Sequence, residues 1–213
     1  MAIWHPFIRA YRDLRGRRRV RREKARLDGL DEPSFTRDHV GFKTEIWKEH
    51  LSEFAGRAGL RMLEIGSHEG RSAIWFVENV LTGSDSRLTC VDPWRPEVKI
   101  RFDHNIRVAG VADRIRAIHE GSAQALTEDL AAETFDIIYI DGSHLAPDVL
   151  FDAVFAWPRL APRGILIFDD YGWRSDLPPA ERPQPSIDRF MELFGDEFEV
   201  IDIGFQVLLR RTS

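Results

Sequence analysis

The sequence predicts an α/β protein: a mostly parallel sheet with helices on both faces and an antiparallel hairpin at the C-terminal end. Three observations carry this. Short β-branched apolar runs ending in Gly or Asp recur from residue 60 onward. Segments with apolar residues at three and four spacing alternate with them, and such alternation marks βαβ units, hence a parallel sheet covered on both sides. The last two apolar runs, FEVIDIG and FQVLLRR, have no helix between them and therefore pair as an antiparallel hairpin at the sheet edge.

Taken in order, FKTEIWKEHLSEFAGRAG reads as a helix that covers the sheet ahead of the first strand. LRMLEIG (60–66), RLTCVD (87–92), RIRAIHEG (114–121), FDIIYIDG (135–142) and RGILIFDD (163–170) read as strands. RSAIWFVENVL, EVKIRFDHNIRVAG, SAQALTEDLAAE and PDVLFDAVFAWPRL are the intervening helices. WRSDLPPAERPQP is rich in proline and polar residues and reads as a loop. No internal repeat and no second core is evident, so a domain over 31–213 follows an extension over 1–30.

That extension differs in charge from the rest. Residues 1–30 hold ten Lys or Arg against three Asp or Glu, a local +7, so with the whole chain at −5 the remainder carries −12. Ile3, Trp4, Phe7, Ile8, Tyr11 and Leu14 recur at helical spacing, and Arg17, Arg18, Arg19, Arg21 and Arg22 follow. An amphipathic basic helix can pack on its own domain or a second subunit, lie on an anionic lipid surface, or touch RNA. The first is the leading expectation. The first residues lack an apolar run with a small-residue cleavage site, and no run approaches the ~18 residues of a membrane span. The expected location is therefore cytoplasmic. The single cysteine, Cys90, lies in an apolar run and reads as a buried, inert thiol.

In open parallel sheets, ligands bind beyond the carboxyl ends of the strands near the point where strand order reverses. The first strand ends in LEIGSHEGRSA, with Glu64 at its end, Gly66 and Gly70 in the turn and a helix beginning near Arg71 or Ser72. The spacing G-x-x-x-G lacks the middle glycine of a dinucleotide fingerprint, which argues against a bound pyrophosphate. A looser turn preceded by a carboxylate suits a positively charged ligand without phosphate, such as S-adenosylmethionine. Asp92, ending the second strand, is placed for the two hydroxyls of a ribose. Gly121 and Ser122, after the third, are placed for an adenine edge.

The pattern E-x-G-x-x-x-G followed by an acid at the second strand's end resembles the class I S-adenosylmethionine-dependent methyltransferases over about residues 40–210. The strings GSHEGRSA, CVDPW, FDIIYIDGSH and ILIFDDY are similar to those of the small-molecule and sugar O-methyltransferases related to the cephamycin and macrolide-sugar enzymes. The resemblance implies a Rossmann-like three-layer sandwich with a seven-stranded sheet. It also implies that Glu64, Gly66, Ser67, Gly70, Ser72, Asp92, Ser122 and Asp141 line the cofactor pocket.

Two strands end in aspartate: Asp141 closes the fourth, Asp169 with Asp170 the fifth. Three carboxylates crowded in a partly desolvated cleft repel one another and raise at least one pKa unless a cation neutralises them. Oxygen ligands select a hard divalent ion such as Mg2+. The resemblance implies that Asp141, Asp169 and Asp170 are its ligands, with Asp141 also part of the catalytic machinery. Otherwise Asp141 bonds backbone in its turn, Asp170 caps the following segment, and no ion binds. His144, three residues past Asp141, has the right intrinsic pKa for a general base near neutrality. The other histidines are weaker candidates: His68 lies in the cofactor turn, and His104 and His119 fall in expected helix and strand positions without clustered partners.

The expected activity is thus divalent-metal-assisted O-methylation of a hydroxylated small molecule or sugar. The loop from Trp173 to Pro185, with Trp4 to Tyr11, is the expected lid. Two alternatives are an RNA methyltransferase gripping phosphate with the basic arm, and a non-catalytic adenosylmethionine-binding partner protein. Nucleic acid is disfavoured because the domain is acidic and lacks an N-P-P-Y-like string.

Overall fold

The computed structural model describes residues 5–213, with side chains from Arg15 onward. Seven strands form one sheet: β1 (Arg61–Ile65), β2 (Arg87–Val91), β3 (Ile115–Ile118), β4 (Phe135–Ile140), β5 (Leu160–Phe168), β6 (Phe198–Ile203) and β7 (Val207–Arg211). Their order is β3-β2-β1-β4-β5-β7-β6. The first five run parallel, and β7 inserts antiparallel between β5 and the edge strand β6. The sequence-based fold class and the C-terminal hairpin are both met.

The helices are α1 (His5–Leu27), α2 (Thr44–Leu51), α3 (Arg71–Asn79), α4 (Pro96–Val108), the short α5 (Ser122–Gln124) with its continuing turn (Ala125–Asp129), α6 (Ala146–Ala156) and α7 (Gln184–Phe194). Strand residues alternate between faces, so each central strand serves two cores. On β4, Ile137 and Tyr139 join Trp47, Phe76 and Phe102 beneath α2, α3 and α4. Ile138 and Ile140 join Trp157, Phe168 and Phe190 beneath α6 and α7. This double burial is why the strands read as continuous apolar runs.

Two elements differ from the sequence reading. The third expected helix, SAQALTEDLAAE, is only a short α5 and a π-type turn. In turn, α7 was not read from the sequence, although Ile187, Phe190, Met191 and Phe194 carry the three-four spacing. The Pro-rich stretch before it masks its start, and it opens with Pro at the first turn, where the missing N–H costs nothing.

Within the basic extension, His5–Leu27 form α1. Among its described side chains, Leu27 is buried, Glu23 pairs with the buried Arg101 of α4, and Arg19 reaches Glu97 at 3.4 Å. Arg17, Arg18, Arg21 and Arg22 are exposed. The expected apolar face of Ile3, Trp4, Phe7, Ile8, Tyr11 and Leu14, and the lid role of residues 4–11, lie outside the described side chains. Among the described residues no helix is long and apolar enough to cross a membrane.

Trp47 fastens α2 to the sheet. Its ring is wholly buried against Phe76 and Tyr139, and its indole N–H donates to Gln206 Oε1 at 2.9 Å. Trp47→Ala is expected to cost about 3–5 kcal/mol in urea unfolding. Trp47→Phe, which keeps the ring but strands the glutamine oxygen, is expected to cost about 1–3 kcal/mol.

Candidate active site

The chain winds outward from β1 through β2 to β3, then returns to β4 on the other side of β1. The crevice therefore opens between the carboxyl ends of β1 and β4. Gly66 follows β1 with φ +90, and a Cβ there would overlap the Asp141 carbonyl that follows β4. Only glycine lets these two strand ends approach. Gly70, at φ +82, ends the turn and starts α3, where a Cβ would press on Phe102. The intervening Ser67 and Glu69 are buried, and His68 sits at φ 44.

Two cavities of about 530 and 540 Å³ meet over this turn and share Gly66, Asp92 and Gly142. The second is lined by Asp92, Gly121, Ser122, Phe151 and Asp152. Asp92 accepts the His68 N–H at 2.9 Å, and burial raises its pKa. The first is lined by Ser67, Ser72, Asp141, His144 and Asp170, with Phe35, Phe42, Trp173 and Phe205 as aromatic walls. Of the residues expected to line a cofactor pocket, Gly66, Ser67, Ser72, Asp92, Ser122 and Asp141 line one cavity or both. Gly70 and Glu64 do not. Glu64 lies fully buried beneath the turn beside Ser67, Ser72 and the Cys90 thiol, and burial raises its pKa.

At the ends of β4 and β5 the acids are arranged in two groups. Asp169 is buried, and its carboxylate bonds to the Lys43 ammonium and the Tyr139 hydroxyl. It also accepts the Gln206 amide at 3.2 Å and the Asp170 N–H at 2.8 Å. Asp141 Oδ2 bonds the same Tyr139 hydroxyl at 2.9 Å and lies 3.7 Å from the same ammonium. Asp170 is turned away to His144, whose Nε2 it meets at 2.5 Å. The expected three-carboxylate ligand set is thus not formed. Among the described residues, no group of three or more His, Cys, Asp or Glu side chains is placed to hold a metal ion. A lysine from another part of the chain has taken up the carboxylates' charge.

Lys43 is delivered by a capped turn. Asp38 accepts the Val40 and Gly41 N–H groups at 3.0 and 2.9 Å, starting the 3-10 turn Gly41–Lys43, and Arg71 grips Asp38 through two bonds. Those three bonding partners hold the Asp38 pKa well below the usual carboxylate range. Burial by itself would lower the Lys43 pKa, but the carboxylates of Asp141 and Asp169 outweigh it and hold it above the ordinary value. Burial likewise opposes ionisation of Asp169, and Lys43 outweighs it, so Asp169 is held low. Burial and the neighbouring charge of Asp169 push Asp141 well up. The tyrosine hydroxyl stays protonated, raised chiefly by burial.

His144 is held in one orientation. Its Nε2 faces Asp170, its ring lies 4.4 Å from that of Trp173, and Asp170 itself adopts φ 58, a left-handed conformation that is costly without glycine. The Asp170 bond raises its pKa above the usual value. With Nε2 engaged by Asp170, Nδ1 is the nitrogen left to accept a proton.

Sequence reasoning missed Lys43 and Asp152. Lys43 carries no local signal, since a lysine opening a helix normally faces water. Asp152 does carry one: an acid within the apolar helix VLFDAVFAW. It is 2% exposed, bonds Ser122, and has its pKa raised to about 6 by burial, with one carboxylate oxygen, Oδ1, unpartnered beside the second cavity.

This architecture, a cleft at the β1/β4 reversal flanked by a glycine turn and strand-end acids, is that of a methyltransferase domain, and sequence comparison agrees. A family profile described as "Methyltransferase domain" matches residues 63–171, half of the chain, and the chain belongs to that family. The solved structures it resembles include an O-methyltransferase from Bacillus cereus in complex with SAH (17% identity, 92% of this chain and 90% of that one, TM-score 0.66). TomG of Streptomyces achromogenes, an O-methyltransferase involved in tomaymycin synthesis, solved with SAM, matches at 18% identity over 93% and 90%, with TM-score 0.65. MycE, from the mycinamycin biosynthetic pathway and solved with Mg and SAH, matches at 16% over 91% and 54%, with TM-score 0.63. At these identities the likeness is one of fold. An uncharacterized protein of Sinorhizobium fredii is 28% identical over 122 residues, which are 52% of this chain but 13% of that relative's length.

Gly66→Ala is expected to cost about 3 kcal/mol or more in chemical denaturation, because backbone must move as well as strain be absorbed. Gly110→Ala, at φ +72 but with nothing near the added Cβ, is expected to cost only about 1–2 kcal/mol.

Proposed function

We propose that this protein transfers the methyl group of S-adenosylmethionine to a hydroxyl of a small, ring-bearing acceptor. The observation that supports this most is the meeting of the two cavities at Gly66, Asp92 and Gly142, with His144 lining the first of them. In this reading the adenosine occupies the second cavity. Asp92 takes the ribose hydroxyls, while Ser122, backed by the buried Asp152, faces the adenine edge. The methionine portion runs over the Gly66–Gly70 turn toward Ser67 and Ser72. Such a turn suits a sulfonium ligand without phosphate.

The acceptor occupies the first cavity between Phe35, Phe42, Trp173 and Phe205, whose faces suit a ring system. His144 Nδ1 takes the hydroxyl proton as the oxygen attacks the methyl carbon in line with its bond to sulfur; the C–S bond breaks and S-adenosylhomocysteine leaves. Asp170 fixes the histidine's tautomer and stabilises the imidazolium that forms. Much of the acceleration in such a transfer comes from alignment. The acids expected to hold a divalent ion are already engaged, Asp169 by Lys43 and Tyr139 and Asp170 by His144. A sugar or polyketide glycoside is the acceptor class to test first.

Calorimetric titration of the full chain with S-adenosylmethionine is expected to show one site, weakened about tenfold or more in Asp92→Ala. No binding to the folded chain would end the reading. With an acceptor found by screening for S-adenosylhomocysteine release, His144→Ala is expected to lower kcat by about 10²–10⁴-fold; retained turnover removes the base assignment. Since the His144 pKa is raised, its neutral, base-competent form is lost at higher pH than usual as pH falls. The wild-type kcat should therefore rise with pH through a limb above about 6.5. In Asp170→Asn that limb should move to lower pH.

A further inference from the structure

At the rim where β4 and β5 end, two carboxylates would repel each other in a low-dielectric setting unless a positive charge lay between them. The structure supplies that charge from within. The Lys43 side chain is 5% exposed, bonds Asp169, approaches Tyr139 Oη at 3.3 Å and lies 3.7 Å from Asp141. Both oxygens of Asp169 are engaged, Oδ2 by Lys43 and Tyr139 and Oδ1 by Gln206 and the Asp170 N–H. An incoming dication would have to displace the ammonium, and a buried lysine cannot leave without stranding its charge.

We propose that Lys43 is a built-in counter-cation for the Asp141–Asp169 pair, standing where a divalent ion would otherwise be needed, so that the site assembles and works without metal. The ammonium bonds Asp169 and lies 3.7 Å from Asp141, so it occupies the place between the two carboxylates that a dication would have to take. The arrangement also ties the acceptor cavity to the fold. Lys43, Asp141 and Phe42 line that cavity, and Lys43 hangs from the turn that Asp38 and Arg71 fix. Lys43 is thus a positioning residue that holds Asp141 and the 41–43 turn against the strand ends. The part concerning methyl transfer rests on the function proposed above; the part concerning the cation does not.

The test is Mn2+ binding to the full chain, followed by electron paramagnetic resonance, in wild type, Lys43→Ala, Lys43→Gln and each of these with Asp169→Asn. S-adenosylhomocysteine binding and circular dichroism report separately on folding and on the methyltransferase reading. Wild type is expected to show no Mn2+ site that depends on Asp169. The lysine variants, left with uncompensated carboxylates, are expected to gain one at least about tenfold tighter than any wild-type binding. An Asp169-dependent Mn2+ site in wild type overturns the proposal, as does a folded Lys43→Ala or Lys43→Gln protein that gains none. Should neither lysine variant fold, wild type against Asp169→Asn decides alone. Once an acceptor is known, wild-type turnover in EDTA is expected to stay within about twofold of that in Mg2+, and loss of activity to EDTA restored by Mg2+ overturns the proposal as well.

Discussion

A single ammonium group, buried among two carboxylates and a phenol at the rim of the sheet, sets the terms for everything above it. Isolated in a low-dielectric interior, any one of Lys43, Asp141 or Asp169 would give up its charge. Together Lys43 and Asp169 hold opposite charges, Tyr139 joins them, and Asp141 is forced toward its neutral form. The cluster joins elements distant in the chain: Lys43 from the turn before α2, Tyr139 from β4 and Asp141 just past it, Asp169 just past β5, and Gln206 just before β7. Because Gln206 also accepts from Trp47, the apolar core and the polar rim are one continuous structure.

That division of charge explains why neighbouring acids behave differently. Asp169 is an inward counter-ion with no capacity left, while Asp170, one residue later, turns through a left-handed backbone conformation to face His144. Both residues lie just past the end of β5, and the left-handed turn at Asp170 leaves one carboxylate in the core and sends the next to the cavity. The strain at Asp170 is placed where an oriented histidine is wanted, a common location for such strain. The second cavity shows a parallel arrangement, with Asp152 buried beneath Ser122 and one oxygen left over.

The segment between α1 and α2 couples these parts. The Thr36 N–H and hydroxyl both donate to Glu69 in the glycine turn, at 2.7 and 2.8 Å, and Ser34 bonds Asn105 of α4. Glu69 also meets Arg101, which in turn pairs with Glu23 of α1. The basic extension is therefore wired through two buried ion pairs to the loop that frames both cavities.

The order of strands and most helices was legible in the sequence because both arise from short-range chemistry. Strands buried on two faces must be apolar throughout, helices must keep a three-four stripe, and Gly66 and Gly70 announce a turn wherever a backbone must pass closely. The aspartates at 92, 141, 169 and 170 were visible as acids closing apolar runs. What those acids do was not, because a carboxylate's role depends on which positive group reaches it, and Lys43 lies 126 residues upstream of Asp169. Local sequence thus determined the sheet, the turn and the candidate acids; only the folded chain decided that a lysine stands among them, since that depends on charges brought together across the whole fold.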